Sequence, residues 1–319
     1  MYHSRVKRTA TESCWYLVTN RIVGGSFLLG QYEKEKLRAL IVGGQERLGY
    51  KVWDFVILDN HYHCLLQICP ADQMSRVDVL KRWQIARDSE SDPGDAVLEG
   101  FRQKIHDISF VVSNFQQRFT QWYNTRNDRW GRLFGGRFDS VILDKDGAVA
   151  KVMAYITLNP VRAGICTDPA EYRWCGYAER MAKGRLQEDD RQLAAIMQRE
   201  LGLPDQALKG TDKTVLDRLW SRFRQTLLGR SIRQRSVDAE SVADVLNRAN
   251  KPLDLTWPQR LMLKARFVTK GIALGSREFV EQIGTDFRSE LGENKKHHAT
   301  DARAWDETYS LRKHKKWIG

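Results

Sequence analysis

Long apolar runs are missing from this 319-residue chain. Nothing in it approaches the roughly 18 uninterrupted apolar positions that a membrane-spanning helix needs, so no membrane role is expected. Cysteine is scarce. The five present (Cys14, Cys64, Cys69, Cys166, Cys175) are odd in number and form no CxxC pair. Neither a disulfide scaffold nor a cysteine-rich zinc site is therefore expected, and a reducing, cytoplasmic setting fits. The basic start, Met1 to Arg8, runs into no apolar segment, so no secretory signal is expected. Acidic residues are outnumbered: forty Asp plus Glu against fifty-two Lys plus Arg leave a net charge of +12. An excess of that sign calls for a polyanionic partner, nucleic acid first, and the ten tryptophans supply faces on which bases stack. A hydrophobic share of 42% excludes wholesale disorder.

What is there reads first as mixed α and β. Cys14 to Thr19 is β-branched and aromatic, as a strand should be, and residues 32 to 48 carry helical spacing closed by Gly49. Two further strands, 51–58 and 61–68, flank the turn signal Asp59-Asn60 and predict a hairpin. Helical patterns follow around an exposed loop at 89–94 and over 110–126, then a Gly- and Arg-rich stretch at 129–138. A fourth strand is expected over 140–143. After it comes a helix over 147–158, capped by Asp144 or Asp146 and stopped by Pro160. A hairpin among interleaved helices points to α+β with an antiparallel sheet. From residue 181 the composition turns helical and Arg-rich. The expected division is a first domain over 1–180, a linker over 181–207, and a basic all-helical module over 208–319 with a mobile tail.

The segment Asn60-His61-Tyr62-His63-Cys64 carries the most chemistry. Residues i and i+2 of a strand share a face, so His61 and His63 present two imidazoles side by side while Tyr62 and Cys64 face a core. Paired imidazoles suit a divalent cation, although two histidines also alternate on strands for purely structural reasons. On the helix 147–158, Lys151, Tyr155 and Asn159 recur at four-residue spacing as a polar stripe, opposite Val149, Val152, Met153 and Ile156. A phenol beside an amide oxygen and a metal makes a nucleophile for a phosphodiester. Tyr123 also has an asparagine four residues on, Asn127, so spacing leaves Tyr123 and Tyr155 both open.

These elements resemble a known family. Asn60 with His61-Tyr62-His63, the strand Trp15 to Arg21, and above all the run Tyr155-Ile156-Thr157-Leu158-Asn159-Pro160-Val161-Arg162-Ala163-Gly164 are similar to the single-tyrosine HUH transposases. Within these, they resemble the branch of the REP-associated tyrosine transposases. The block Tyr172 to Tyr177 fits as well, and the resemblance spans roughly residues 10–180. It implies a ferredoxin-like sheet with packed helices, His61 and His63 as ligands of Mg²⁺ or Mn²⁺, and Asn159 as a third ligand. It also implies that Tyr155, rather than Tyr123, attacks single-stranded DNA near a hairpin, leaving a 5′-phosphotyrosine and a free 3′-OH. One departure is Tyr62, where the family usually has an aliphatic residue between the histidines.

The remaining features bear on DNA. Gly131, Gly135 and Gly136 lack the GK[ST] ending of a nucleotide-binding loop, whereas Arg129, Trp130, Arg132 and Arg137 around them mix donors with a stacking face. Lys151 and Arg162 beside the tyrosine, and Arg230, Arg233 and Arg277 further on, complete the candidate DNA contacts. Leu261 to Phe267, a Gly-containing turn, and a helix capped at Ser276 outline a helix-turn-helix-like unit, or else a helical module that packs on the first domain. His106 and His297-His298 read as surface histidines. The expected function is a metal-dependent endonuclease and strand transferase acting on hairpin-bearing single-stranded DNA in the nucleoid, as a monomer or dimer. The alternative is a domesticated protein that binds or represses without cleaving.

Overall fold

The computed structural model describes residues 13–183, 196, 266–287, 299–301 and 308–312. Of the expected linker at 181–207 only 181–183 and 196 are among these residues, and Arg230, Arg233 and His297-His298 lie outside them.

The first strand, β1 (Cys14–Arg21), lies inside the sheet and is buried on both faces. Cys14, Tyr16 and Val18 enter one core, and Trp15 and Leu17 the other. The helix α1 (Gln31–Leu48) follows; Lys34, Leu37, Leu40, Ile41, Gly44 and Leu48 bury its inner stripe, and Gly49 ends it in the left-handed conformation at φ 76°. Strands β2 (Lys51–Ile57) and β3 (His61–Ile68) form the expected hairpin. Three helices then cover the first core: α2 (Arg76–Arg87), α3 (Asp95–Ile105) and α4 (Ile108–Arg126). A capping box at Ser75 and Asp78 starts α2, and the Asp107 carboxylate caps α4. The strand β4 (Asp139–Leu143) returns beside β1, so these four strands are antiparallel in the order β2-β3-β1-β4. That is the ferredoxin-like arrangement implied by the motifs, and the α+β reading holds.

The opposite face of the sheet carries α5 (Val149–Thr157), the short α6 (Asn159–Arg162) and α7 (Gly176–Lys183). Every residue of α5 is buried, including Lys151. The expectation of an amphipathic helix with one polar stripe is thus corrected: α5 is enclosed on all sides. Its start is not capped by Asp144 or Asp146. The Asp144 carboxylate instead accepts from the Ser276 backbone N–H at 3.0 Å.

The all-helical expectation for the C-terminal part also fails among the described residues. After α8 (Arg266–Lys270), Gly271–Gly275 is a strand, β5, which pairs in parallel with β4. Ser276 does cap the next helix, α9 (Arg277–Asp286), but the element before it is a strand, not a turn between two helices. Two more strands, β6 (Thr300–Asp301) and β7 (Tyr309–Arg312), complete one seven-stranded mixed sheet, β2-β3-β1-β4-β5-β7-β6. The reason is apolar: Ala273, Leu274, Val280, Ile283 and Leu311 are all buried, and they extend both cores rather than forming a separate one. Among the described residues no helix is long and apolar enough to cross a membrane, and all five cysteines are free.

Candidate active site

Opposed residues of neighbouring strands share a face, and the β1–β3 register sets Thr19 opposite His63 and Arg21 opposite His61. All four therefore lie on the α5 side of the sheet, while Tyr62 points into the other core. There its ring meets Phe115 and Phe134, and its hydroxyl accepts from Gln116 at 2.6 Å. Tyr62 is thus a packing residue that leaves the histidines undisturbed. The two imidazoles stand edge to face with centroids 5.1 Å apart.

Both rings are held through Nδ1. Thr19 Oγ1 lies 2.7 Å from His63 Nδ1, and Asn60 Oδ1 lies 2.7 Å from His61 Nδ1. The second contact fixes a tautomer. Asn60 Nδ2 donates to the Gly25 carbonyl at 2.9 Å, so the atom facing His61 is the amide oxygen, which only accepts. His61 Nδ1 must carry the proton, and its Nε2 keeps the lone pair that a metal requires. Gly25 sits at φ 71°, a backbone conformation that glycine tolerates and that presents this carbonyl. Burial, together with Arg21 and Arg162, pulls His61 down to about 4 and His63 well below the ordinary histidine range. Both are neutral at pH 7, as metal ligands must be.

Tyr155 meets this pair from α5. Its ring stands edge to face with His63, centroids 5.6 Å apart, and the Arg162 guanidinium lies 4.7 Å over the Tyr155 ring centroid. Asn159 is buried, and its amide nitrogen donates to the Tyr155 carbonyl at 2.7 Å, which leaves Oδ1 as an acceptor. Asn127 makes the same bond to the Tyr123 carbonyl at 2.8 Å, so local geometry alone would not separate the two tyrosines. Position does. Tyr123 packs on Phe119 in the core on the other side of the sheet, away from the histidine face. Of the two, Tyr155 is the one in contact with His63.

Two neutral imidazoles side by side suit a divalent ion with an open shell, the remaining positions left to oxygen donors. Among the described residues no group of three or more His, Cys, Asp and Glu side chains gathers around a metal position. The nearest electrostatic neighbours of the histidines include the cations Arg21 and Arg162, so an ion there needs anionic charge from its substrate.

In fold, the chain is similar to a solved structure of a REP-associated tyrosine transposase bound to a REP hairpin. The likeness has a TM-score of 0.40 at 16% identity and covers 58% of this chain and 90% of that one. No family model matches the sequence, and no curated protein does. The functional reading of the chain rests on its own side chains.

The Gly- and Arg-rich loop after α4 is pinned to the same end of the sheet. Gly135 N–H donates to the Arg21 carbonyl at 2.8 Å, Val23 N–H donates to the Leu133 carbonyl at 2.9 Å, and Leu133, Phe134 and Phe138 are buried beneath it. The anchored loop leaves Arg132 and Arg137 exposed and Trp130 87% exposed, the most open large hydrophobic side chain among the described residues. Arg129 is half-buried and donates to the Arg132 carbonyl at 3.2 Å, so it braces the loop. Lys151 needs correction as a DNA contact: it is buried, and its Nζ donates to Thr308 Oγ1 at 2.7 Å, inside the C-terminal extension. Arg277 is exposed on α9, paired with Glu281 at 3.3 Å. His106 is half-buried rather than on the surface, with Nδ1 against the Cys69 carbonyl.

Thr19, Arg21 and Asn60 carry no role expected from the sequence. The signal for Thr19 and Arg21 was the alternation along β1, which puts both on the face of Trp15 and Leu17. The aromatic block is structural: Tyr172 donates to the Ile57 carbonyl at 2.7 Å and Trp174 lies under Lys34 Nζ at 4.7 Å, covering the open edge of β2.

Proposed function

We propose that this chain is a metal-dependent endonuclease and strand transferase for hairpin-bearing single-stranded DNA, with Tyr155 as its nucleophile. The observation that carries the reading is the contact of the Tyr155 ring with His63, beside a His61 whose tautomer Asn60 fixes for metal binding. His61 and His63 would hold Mg²⁺ or Mn²⁺, with Asn159 Oδ1 as a third donor, and the ion would polarise the scissile phosphodiester. The chain's own part is positioning and proton handling. The Tyr155 oxygen forms a bond to phosphorus, the bond from phosphorus to O3′ breaks, and the phenolic proton is passed on to the departing 3′ oxygen. The products are a 5′-phosphotyrosine and a 3′-OH, and attack by a 3′-OH on the phosphotyrosine reverses the step and joins strands. Arg162, over the tyrosine ring, lies where it can donate to a phosphoryl oxygen. Trp130, Arg132 and Arg137 offer a stacking face and two cations to the unpaired strand.

The test is incubation with end-labelled hairpin DNA and Mg²⁺ or Mn²⁺, followed by denaturing electrophoresis. A covalent adduct is expected with wild-type protein, none in EDTA, and none for Tyr155→Phe, whereas Tyr123→Phe forms it normally. An adduct that persists in Tyr155→Phe and vanishes in Tyr123→Phe would overturn the assignment.

A further inference from the structure

On the opposite side of the sheet from Tyr155, α1 and α4 flank an open groove of ≈ 790 Å³ lined by Lys36, Arg118, Trp122 and Arg126, with Gln121 and Thr125 between them. Its cations are held by rings. Arg126 lies 4.4 Å from the Tyr32 ring centroid, Lys36 Nζ lies 5.7 Å from that of Trp122, and Tyr32 and Trp122 are 5.4 Å apart. Further along, Arg47 on α1 is close enough to Arg118 that the two guanidinium charges disfavour each other, and Arg47 Nη2 is buried without a hydrogen-bond partner. Among the described residues, no carboxylate pairs with Lys36, Arg118 or Arg126. Cations gathered without counter-charge cost stability unless an anion joins them. At 1.5 Å per helical residue, Tyr32 to Arg47 spans about 22 Å, roughly the axial length of six base pairs.

We propose that the α1–α4 groove is a second DNA site that grips the phosphate backbone of the hairpin stem. This rests on the reading of the protein as one that acts on hairpin DNA. The rings decide between stem and unpaired strand. Arg126 lies over the ring of Tyr32, which is 57% exposed, and Lys36 over that of half-buried Trp122, so cationic N–H donors front the groove, which suits a duplex backbone. Trp130, by contrast, stands 87% exposed and free to stack an unpaired base. The two surfaces are joined in the chain: α4 ends at Arg126, beside the groove, and the anchored loop carrying Trp130, Arg132 and Arg137 follows at once. A stem held on α1–α4 would therefore hand its unpaired flank to this loop and on to the end of β1, where His61 and His63 lie.

The experiment measures binding by anisotropy with full-length protein in EDTA, where no cleavage intervenes, using a DNA hairpin with an unpaired flank and the unpaired flank alone. In Lys36→Ala/Arg118→Ala/Arg126→Ala, three lost phosphate contacts flatten the slope of log affinity on log salt by about 2.7 for the hairpin and weaken its binding at least ~10-fold at moderate salt. Binding of the unpaired flank stays as in the wild type. Arg118→Lys/Arg126→Lys retains the slope, because it keeps the charge. An unchanged hairpin affinity and slope, as an acidic protein partner for this groove would give, overturns the proposal; so does an equal loss on both DNAs. The adduct assay on Tyr155→Phe reads the chemistry independently, so failure of one reading leaves the other measurable.

Discussion

At the scale of single residues, the site depends on which nitrogen of each histidine is occupied. Asn60→Ala removes the acceptor that keeps the proton on His61 Nδ1 without touching the ligand itself. Loss of such a supporting partner typically weakens metal affinity by about 10–100-fold, and that is the expected effect on Mn²⁺ binding measured calorimetrically in the presence of DNA. His61→Ala and His63→Ala should abolish cleavage, whereas Asn159→Ala should weaken it less, since water replaces one oxygen donor. The depressed histidines also fix a pH dependence. A group lowered to about 4 in the folded chain, against an ordinary value of 6.5, takes up its proton more readily when unfolded. The metal-free protein should therefore be fully stable with respect to this pair above about pH 6.5 and lose stability as pH falls towards 4. Melting temperature against pH checks this. A His61→Ala/His63→Ala protein with the same pH profile as the wild type would show that the pair is not the cause.

At the scale of elements, local periodicity was legible and long-range pairing was not. The two histidines could be set on one face because strand alternation is a local property of residues 61–63 and needs no knowledge of the partner strand. The partner strand was needed to bring Thr19 and Arg21 beside them, and so they were missed. The helix of Tyr155 was located correctly, but its polar stripe misled: Lys151 finds a buried partner, Thr308, from a distant part of the chain. Residues 271–275 failed for a related reason. Bounded by glycines and short of β-branched residues, they read as a turn, and the parallel pairing with β4 that makes them a strand is visible only in three dimensions. One of those glycines has a tight steric role. A Cβ on Gly275 would come within 2.2 Å of Asp144 Cβ, where β4 and β5 end side by side. Gly275→Ala should force the two strand ends apart and destabilise the chain by about 1–3 kcal/mol. Denaturant unfolding measures it. A variant as stable as the wild type would show that the ends are not packed this closely.

At the scale of the whole molecule, one sheet passes from the histidine strands to the C-terminal strands, and this decides what removing the C-terminal part would do. A purely DNA-binding appendage would leave a well-behaved catalytic fragment that had lost only hairpin affinity. The contacts argue for the other outcome. Truncation near residue 205 removes the partners of Ile142 and Leu143 in β5, the backbone bond from Asp144 N–H to the Leu274 carbonyl, and the Thr308 hydroxyl that accepts from buried Lys151. It also removes Val268, Leu274, Val280 and Ile283, each fully buried, from the two cores. At roughly 1.5–3 kcal/mol per large apolar side chain buried, these four alone approach the about 5–15 kcal/mol by which a typical domain is stable. The fragment would also present β4 as an unpaired, apolar edge, a template for association between copies. The expected result is an aggregating or barely folded fragment, seen by size-exclusion chromatography and thermal melting. A soluble, monomeric fragment with the melting temperature of the full chain would show that the shared sheet contributes little. The weight of the C-terminal region would then move from packing to DNA.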